Sequence, residues 1–228
     1  MNAAFDRYSR SYEDLVEDSV AFTGLEHRFF QDAKIDQMRV LFAEKWGVDA
    51  RPSMLDIGCG VGRIHPLLQP IVGHLAGTDI SAESLARAAH ANPQVAYRLA
   101  KDMVLPWHDD AFDTTLAIGV LHHIEQPLWP AFMKEMRRVT RPGGLVLLIE
   151  HNPWNPLTRL AVFRCPFDDD ATLLTSGHAV QLLRDAGCTD ATSRHFLVFP
   201  TASPSLRVLE RKLSPIPIGA QYLAVGTA

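Results

Sequence analysis

Residues 55–62 read Leu-Asp-Ile-Gly-Cys-Gly-Val-Gly, with glycines two apart at Gly58, Gly60 and Gly62. A short apolar run precedes them, which puts them at a strand-to-helix turn where backbone N–H groups are free to meet a ligand. Small residues there let a ligand approach the backbone closely. A dinucleotide-binding turn more often spaces its glycines Gly-x-Gly-x-x-Gly; this one is tighter. By itself such a turn could simply join a strand to a helix. Asp79 adds chemistry. It lies about twenty positions further on, at the end of the second strand, where a carboxylate can accept both hydroxyls of a ribose. Its other reading, a cap for the next helix, is partly redundant with Ser81. After the third strand, Asp102 is placed to accept a hydrogen bond from an adenine amino group and Met103 to pack on the ring. Ile118, Gly119, His122 and His123 follow the fourth strand, at the edge where open α/β sheets bind ligands. His151 follows the fifth strand, and imidazoles titrate near neutrality, as a base for a hydroxyl would have to. Asn152, Trp154 and Asn155 stand next to it.

The elements that must position these residues follow from periodicity. Residues 1–46 read as helical, with Phe5, Tyr8, Tyr12, Leu15 and Val16, then Phe29, Phe30, Ile35, Met38, Leu41 and Phe42, at helix-like spacing, and Gly24 between the two sets. Beyond Pro52 short apolar runs alternate with helical stretches. Strands are expected at 53–57, 74–80, 95–99, 114–118 and 145–149, with helices at 61–68, 82–91 and 129–140 and a turn at 142–144. That alternation implies a parallel sheet with right-handed crossovers. The run 145–149 is apolar throughout, as in a strand buried on both faces. Further on, helices are expected at 157–163, 176–186 and 204–213, and strands at 192–199 and 221–226. No independent second domain is visible.

The chain has 228 residues, 47% of them hydrophobic and 21% charged, with net charge −4. This suits one globular α/β unit and lacks the basic surplus of a nucleic-acid binder. Three scattered cysteines, Cys59, Cys165 and Cys188, make neither a disulfide framework nor a metal knuckle and point to a reducing cytosol. No apolar run is long enough to span a membrane. The histidine pair 122–123 has no third metal ligand at suitable spacing. His108-Asp109-Asp110 and Asp168-Asp169-Asp170 read as solvated, although the second run could attract a cationic substrate.

The order of 55–62, Asp79, Asp102–Pro106, Phe112-Asp113, Leu121–Ile124 and Arg138–Leu147 resembles the class I methyltransferases that use S-adenosylmethionine (SAM), within them the small-molecule branch of ubiquinone and menaquinone methyltransferases. The resemblance covers roughly residues 50–150. It implies a Rossmann-like, seven-stranded, mostly parallel sheet with helices on both faces and a reversed last strand. It makes 51–150 a SAM-binding core, with Asp56, Gly58, Cys59, Gly60, Gly62, Asp79, Ile80, Lys101, Asp102, Met103, Ile118 and Gly119 as cofactor residues. Residues 1–50 become a helical lid and 151–228 a substrate loop with terminal strands. Tyr8 and Tyr12 then either cover SAM or only pack in the core, and Phe22 and His122 either border the acceptor or only anchor the surroundings. On this reading His151 is the base for O-methylation of a small molecule and His123 assists. Trp154 supplies a flat wall and Asn152 or Asn155 orients the acceptor; an amine acceptor would need no base. Two other classes stay open: a SAM-binding scaffold without chemistry, and a nicotinamide oxidoreductase, which the glycine spacing disfavours.

Overall fold

The computed structural model describes residues 26–101, 103–165, 171–199 and 204–228. Tyr8, Tyr12, Phe22, Gly24, Asp102 and the run 168–170 lie outside the described residues. Helix α1 (His27–Trp46) leads into β1 (Ser53–Ile57), the short α2 (His65–Leu68), β2 (His74–Asp79), α3 (Ala82–Ala91), β3 (Ala96–Leu99) and β4 (Phe112–Ile118). Then come α4 (Trp129–Val139), β5 (Thr140–His151), α5 (Pro156–Arg164), α6 (Ser176–Asp185), β6 (Thr189–Phe196), α7 (Pro204–Leu213) and β7 (Gln221–Thr227).

The seven strands form one sheet in the order β3-β2-β1-β4-β5-β7-β6. Every pairing is parallel except those of β7, which runs antiparallel to both β5 and β6. The strand order reverses between β1 and β4, the place where a crevice opens at the carboxyl edge of such a sheet. Because side chains alternate across a strand, β5 serves two cores. Val146 and Leu148 pack with Trp129, Met133 and Met136 of α4 and with α6. Leu145, Leu147 and Ile149 pack on the other face with Ile35, Met38 and Phe42 of α1.

Local signals explain the helix starts. The Ser81 hydroxyl accepts from Ser84 N–H at 3.1 Å and opens α3. The Asn155 side chain accepts from Leu157 and Thr158 N–H at 3.0 Å each and opens α5, with Pro156 at its first position. Two expectations need correction. The helix read over 61–68 is regular only from His65, because Gly60 and Gly62 take positive φ and residues 60–64 make turns. The turn at 142–144 is not a separate element. It is a bulge inside β5, where the register moves from Phe112 opposite Thr140 to Thr114 opposite Leu145. Gly143 and Gly144 bond there to Ala228.

Candidate active site

A cavity of about 420 Å³ opens over the carboxyl ends of β1, β2, β4 and β5. The glycine loop forms its floor. Gly58 and Cys59 N–H both donate to Thr78 O, at 2.8 and 3.1 Å, which ties the loop to β2. Gly58 has φ +70°, and a Cβ there would come within 2.5 Å of Val120 Cγ2, so only glycine lets the loop lie against the end of β4. Gly60 also has positive φ, but nothing stands within 4 Å of where its Cβ would be, which leaves room above the loop for a ligand. Gly62 packs behind the loop, against Tyr97, Asn92 and His65, and does not line the cavity.

Asp79 joins the two loops. One carboxylate oxygen accepts from Gly60 N–H at 2.8 Å and the other from Ser81 N–H at 2.9 Å. Burial pushes its pKa up, and the Ser81 and Gly60 N–H groups partly offset that. Each oxygen keeps a lone pair for a ligand hydroxyl. Asp56 also reaches the cavity, but its carboxylate accepts from His65 Nε2–H at 3.0 Å, while Tyr97 donates to His65 Nδ1 at 2.6 Å. Asp56 therefore fixes the base of the loop from below. Burial, with the negative charges of Asp56 and Asp79 beside it, holds the Cys59 thiol protonated.

Ile80, Met103, Ile118 and Gly119 line the same cavity. The loop carrying Met103 and Leu105 is clamped by α4: Leu105 N–H donates to Glu135 and Arg138 donates to Leu105 O. Lys101 is exposed and does not line the cavity.

On the far side His122, His123 and His151 come together. The His122 ring centroid lies 4.2 Å from that of His123 and 5.5 Å from that of His151. Behind them is Glu150, 1% exposed, which sequence reading did not single out. One of its oxygens accepts from His122 Nδ1–H, and the other from Leu121 and Val120 N–H at 2.8 and 3.2 Å. Burial alone would raise the Glu150 pKa; His122, His151 and the Leu121 N–H outweigh it and hold the carboxyl below its ordinary value.

Asn152 and Trp154 do not line the cavity; Trp154 is 70% exposed. The Asn152 amide donates to Pro217 O and Gly219 O, and its oxygen accepts from Trp154 N–H. Asn155 borders the cavity, but its amide donates to Ile218 O and its oxygen caps α5. Several unforeseen side chains do reach the cavity, Gln221 and Lys34 among them. Gln221, opposite His151 in the β5–β7 ladder, has a buried Oε1 without a hydrogen-bond partner. Lys34 comes from α1. Among the described residues no group of three His, Cys, Asp or Glu could hold a metal ion, and no helix is long and apolar enough to cross a membrane.

Residues 55–148 match the family model described as a methyltransferase domain. A methyltransferase of Streptomyces halstedii, GfsG, is 31% identical over 70% of this chain and 52% of its own length. A ubiquinone biosynthesis O-methyltransferase of Parvibaculum lavamentivorans is 28% identical over 54% of this chain and 52% of its own. The chain thus spans about half the length of these curated relatives. The crystal structure of a SAM-dependent methyltransferase from Thermotoga maritima, titled a possible histamine N-methyltransferase, superposes with TM-score 0.71 over 100% of this chain and 99% of its own, at 19% identity, a likeness of fold. The family match spans the glycine loop, Asp79 and the end of β4, so residues 55–148 match a methyltransferase domain, on a fold shared with SAM-dependent methyltransferase structures.

Proposed function

We propose that this chain transfers a methyl group from SAM to a hydroxyl of a small, partly apolar molecule. The observation that carries the reading is one cavity holding the glycine loop and Asp79 at one side and three histidines at the other. A sulfonium-bound methyl group is already activated, so the protein must mainly align the acceptor and keep water away. Asp79 holds the ribose, the glycine loop lies under the amino-acid tail, and Met103 packs on the adenine. Phe29, Phe30, Ile124 and Phe132 supply an apolar wall. His151 takes the acceptor proton, His123 assists, and the Glu150–His122 pair stabilises the positive charge that forms. The amides of Asn152 and Asn155 are engaged within the fold, which leaves Gln221 to orient the acceptor. Residues 1–50 act as a cover, 51–150 as the cofactor core and 151–228 as the substrate side of one domain.

Asp79→Ala is expected to weaken binding of S-adenosylhomocysteine (SAH) by about 1.5–3 kcal/mol, the value of hydrogen bonds to a charged group. Calorimetry checks this, and an unchanged affinity would mean that the ribose is held elsewhere. The acceptor is found by incubating the protein with isotopically labelled SAM and a metabolite pool. The expected result is one labelled product with the methyl on oxygen. No product from protein that binds SAH would leave a SAM-binding scaffold, and a label on nitrogen would remove the need for the histidine base.

A further inference from the structure

Lys34 lies among apolar residues of α1. Phe30, Lys34 and Met38 follow one another at four-residue steps, so the lysine occupies a core-facing position between two hydrophobic ones. It is 7% exposed, and it lines the cavity. Its ammonium makes one long contact, 3.5 Å to Phe30 O. Among the described residues no carboxylate pairs with it. Burial lowers its pKa from 10.5 to about 8, so at neutral pH it is still a cation. A buried ammonium without a counter-charge is destabilising. Two further basic residues, His27 and Arg63, line the same cavity, and the positive charges of Lys34 and Arg63 help to hold His27 neutral, after burial itself. The carboxylates that face the cavity are already engaged: Asp56 with His65, Asp79 with two N–H groups, Glu150 with His122.

We infer that Lys34 is the anion anchor of this cavity and receives a carboxylate of a bound ligand, an inference that rests on the methyltransferase reading. Two sources fit the chemistry. Arg63 follows the glycine loop directly, which suits the amino-acid carboxylate of the cofactor. Lys34 also belongs to the helix that covers the sheet face of Ile149, and by alternation that face carries His151, which suits a carboxylate on the acceptor. In either case the ligand supplies the counter-charge that none of the described residues provides.

The test measures SAH and its decarboxylated analogue by calorimetry on wild type, Lys34→Met and Lys34→Arg, with benzoate as a carboxylate probe on SAH-loaded protein. Lys34→Gln replaces Lys34→Met should the latter not fold. If the cofactor supplies the carboxylate, wild type prefers SAH over the analogue by about 10–100-fold, as expected for a charge-assisted bond. Lys34→Met then abolishes that preference and Lys34→Arg restores part of it. If the acceptor supplies it, SAH binds all variants alike, and benzoate binds wild type and Lys34→Arg but not Lys34→Met. Wild type that binds SAH while neither preference nor benzoate binding depends on Lys34 would overturn the inference and leave the methyltransferase reading standing. Wild type that binds no SAH would overturn both.

Discussion

Glu150→Ala is expected to lower the unfolding free energy by about 3–5 kcal/mol, the cost of removing one partner from a buried ion pair. The carboxylate is fully enclosed and accepts from His122 Nδ1–H and from Leu121 and Val120 N–H. Alanine removes the one acceptor that those three donors share. Glu150→Gln keeps the shape and should cost less, since an amide oxygen can still accept from two of them. Urea unfolding of the three proteins measures the difference, and a loss below about 1 kcal/mol for alanine would mean that the network contributes little. The same pair predicts an acid limit. The folded-state pKa of Glu150 is depressed, so its contribution is present above the ordinary carboxylate range and disappears as pH falls through the folded value. Wild type should therefore lose stability on acidification more steeply than Glu150→Gln. Parallel curves would contradict a depressed Glu150.

His151→Ala is expected to reduce turnover by about 10²–10⁴-fold, the range for a lost general base, while SAH affinity changes little. The ring stands at the end of β5 beside the Glu150–His122 pair, and β4 separates β5 from the strand that carries the glycine loop. Its loss therefore touches the acceptor side and not the cofactor side. If turnover is unaffected, the proton goes elsewhere, and His122→Ala is the next variant to measure.

The glycine-loop side of the cavity was legible because its signals are local. Gly58 and Gly60 sit in one turn, and Asp79 ends the adjacent strand, so spacing alone put them together. The histidine side is assembled by pairings that sequence spacing does not encode. Glu150 meets His122 because β4 and β5 are neighbours. Gln221 faces His151 because β7 inserts antiparallel between β5 and β6. Some of this left a trace: Glu150 is a single acid after five apolar residues, and Lys34 interrupts the apolar stripe Phe30–Met38. Asn152 and Asn155 each precede a proline, and Asn before Pro is the signature of a helix start. Asn155 indeed caps α5, and the functional expectation for both side chains competed with the backbone groups they satisfy. The strand at 145–149 was read short for a related reason: Pro142-Gly143-Gly144 has turn composition, yet the antiparallel end of β7 captures it as a bulge.

Calorimetric titration of the folded chain with SAH decides whether the cavity over the glycine loop is a SAM site. One site per chain is expected, tight enough to be lost in large part on Asp79→Ala and indifferent to NADH. No heat with SAH or SAM, from protein shown by circular dichroism to be folded, would contradict it.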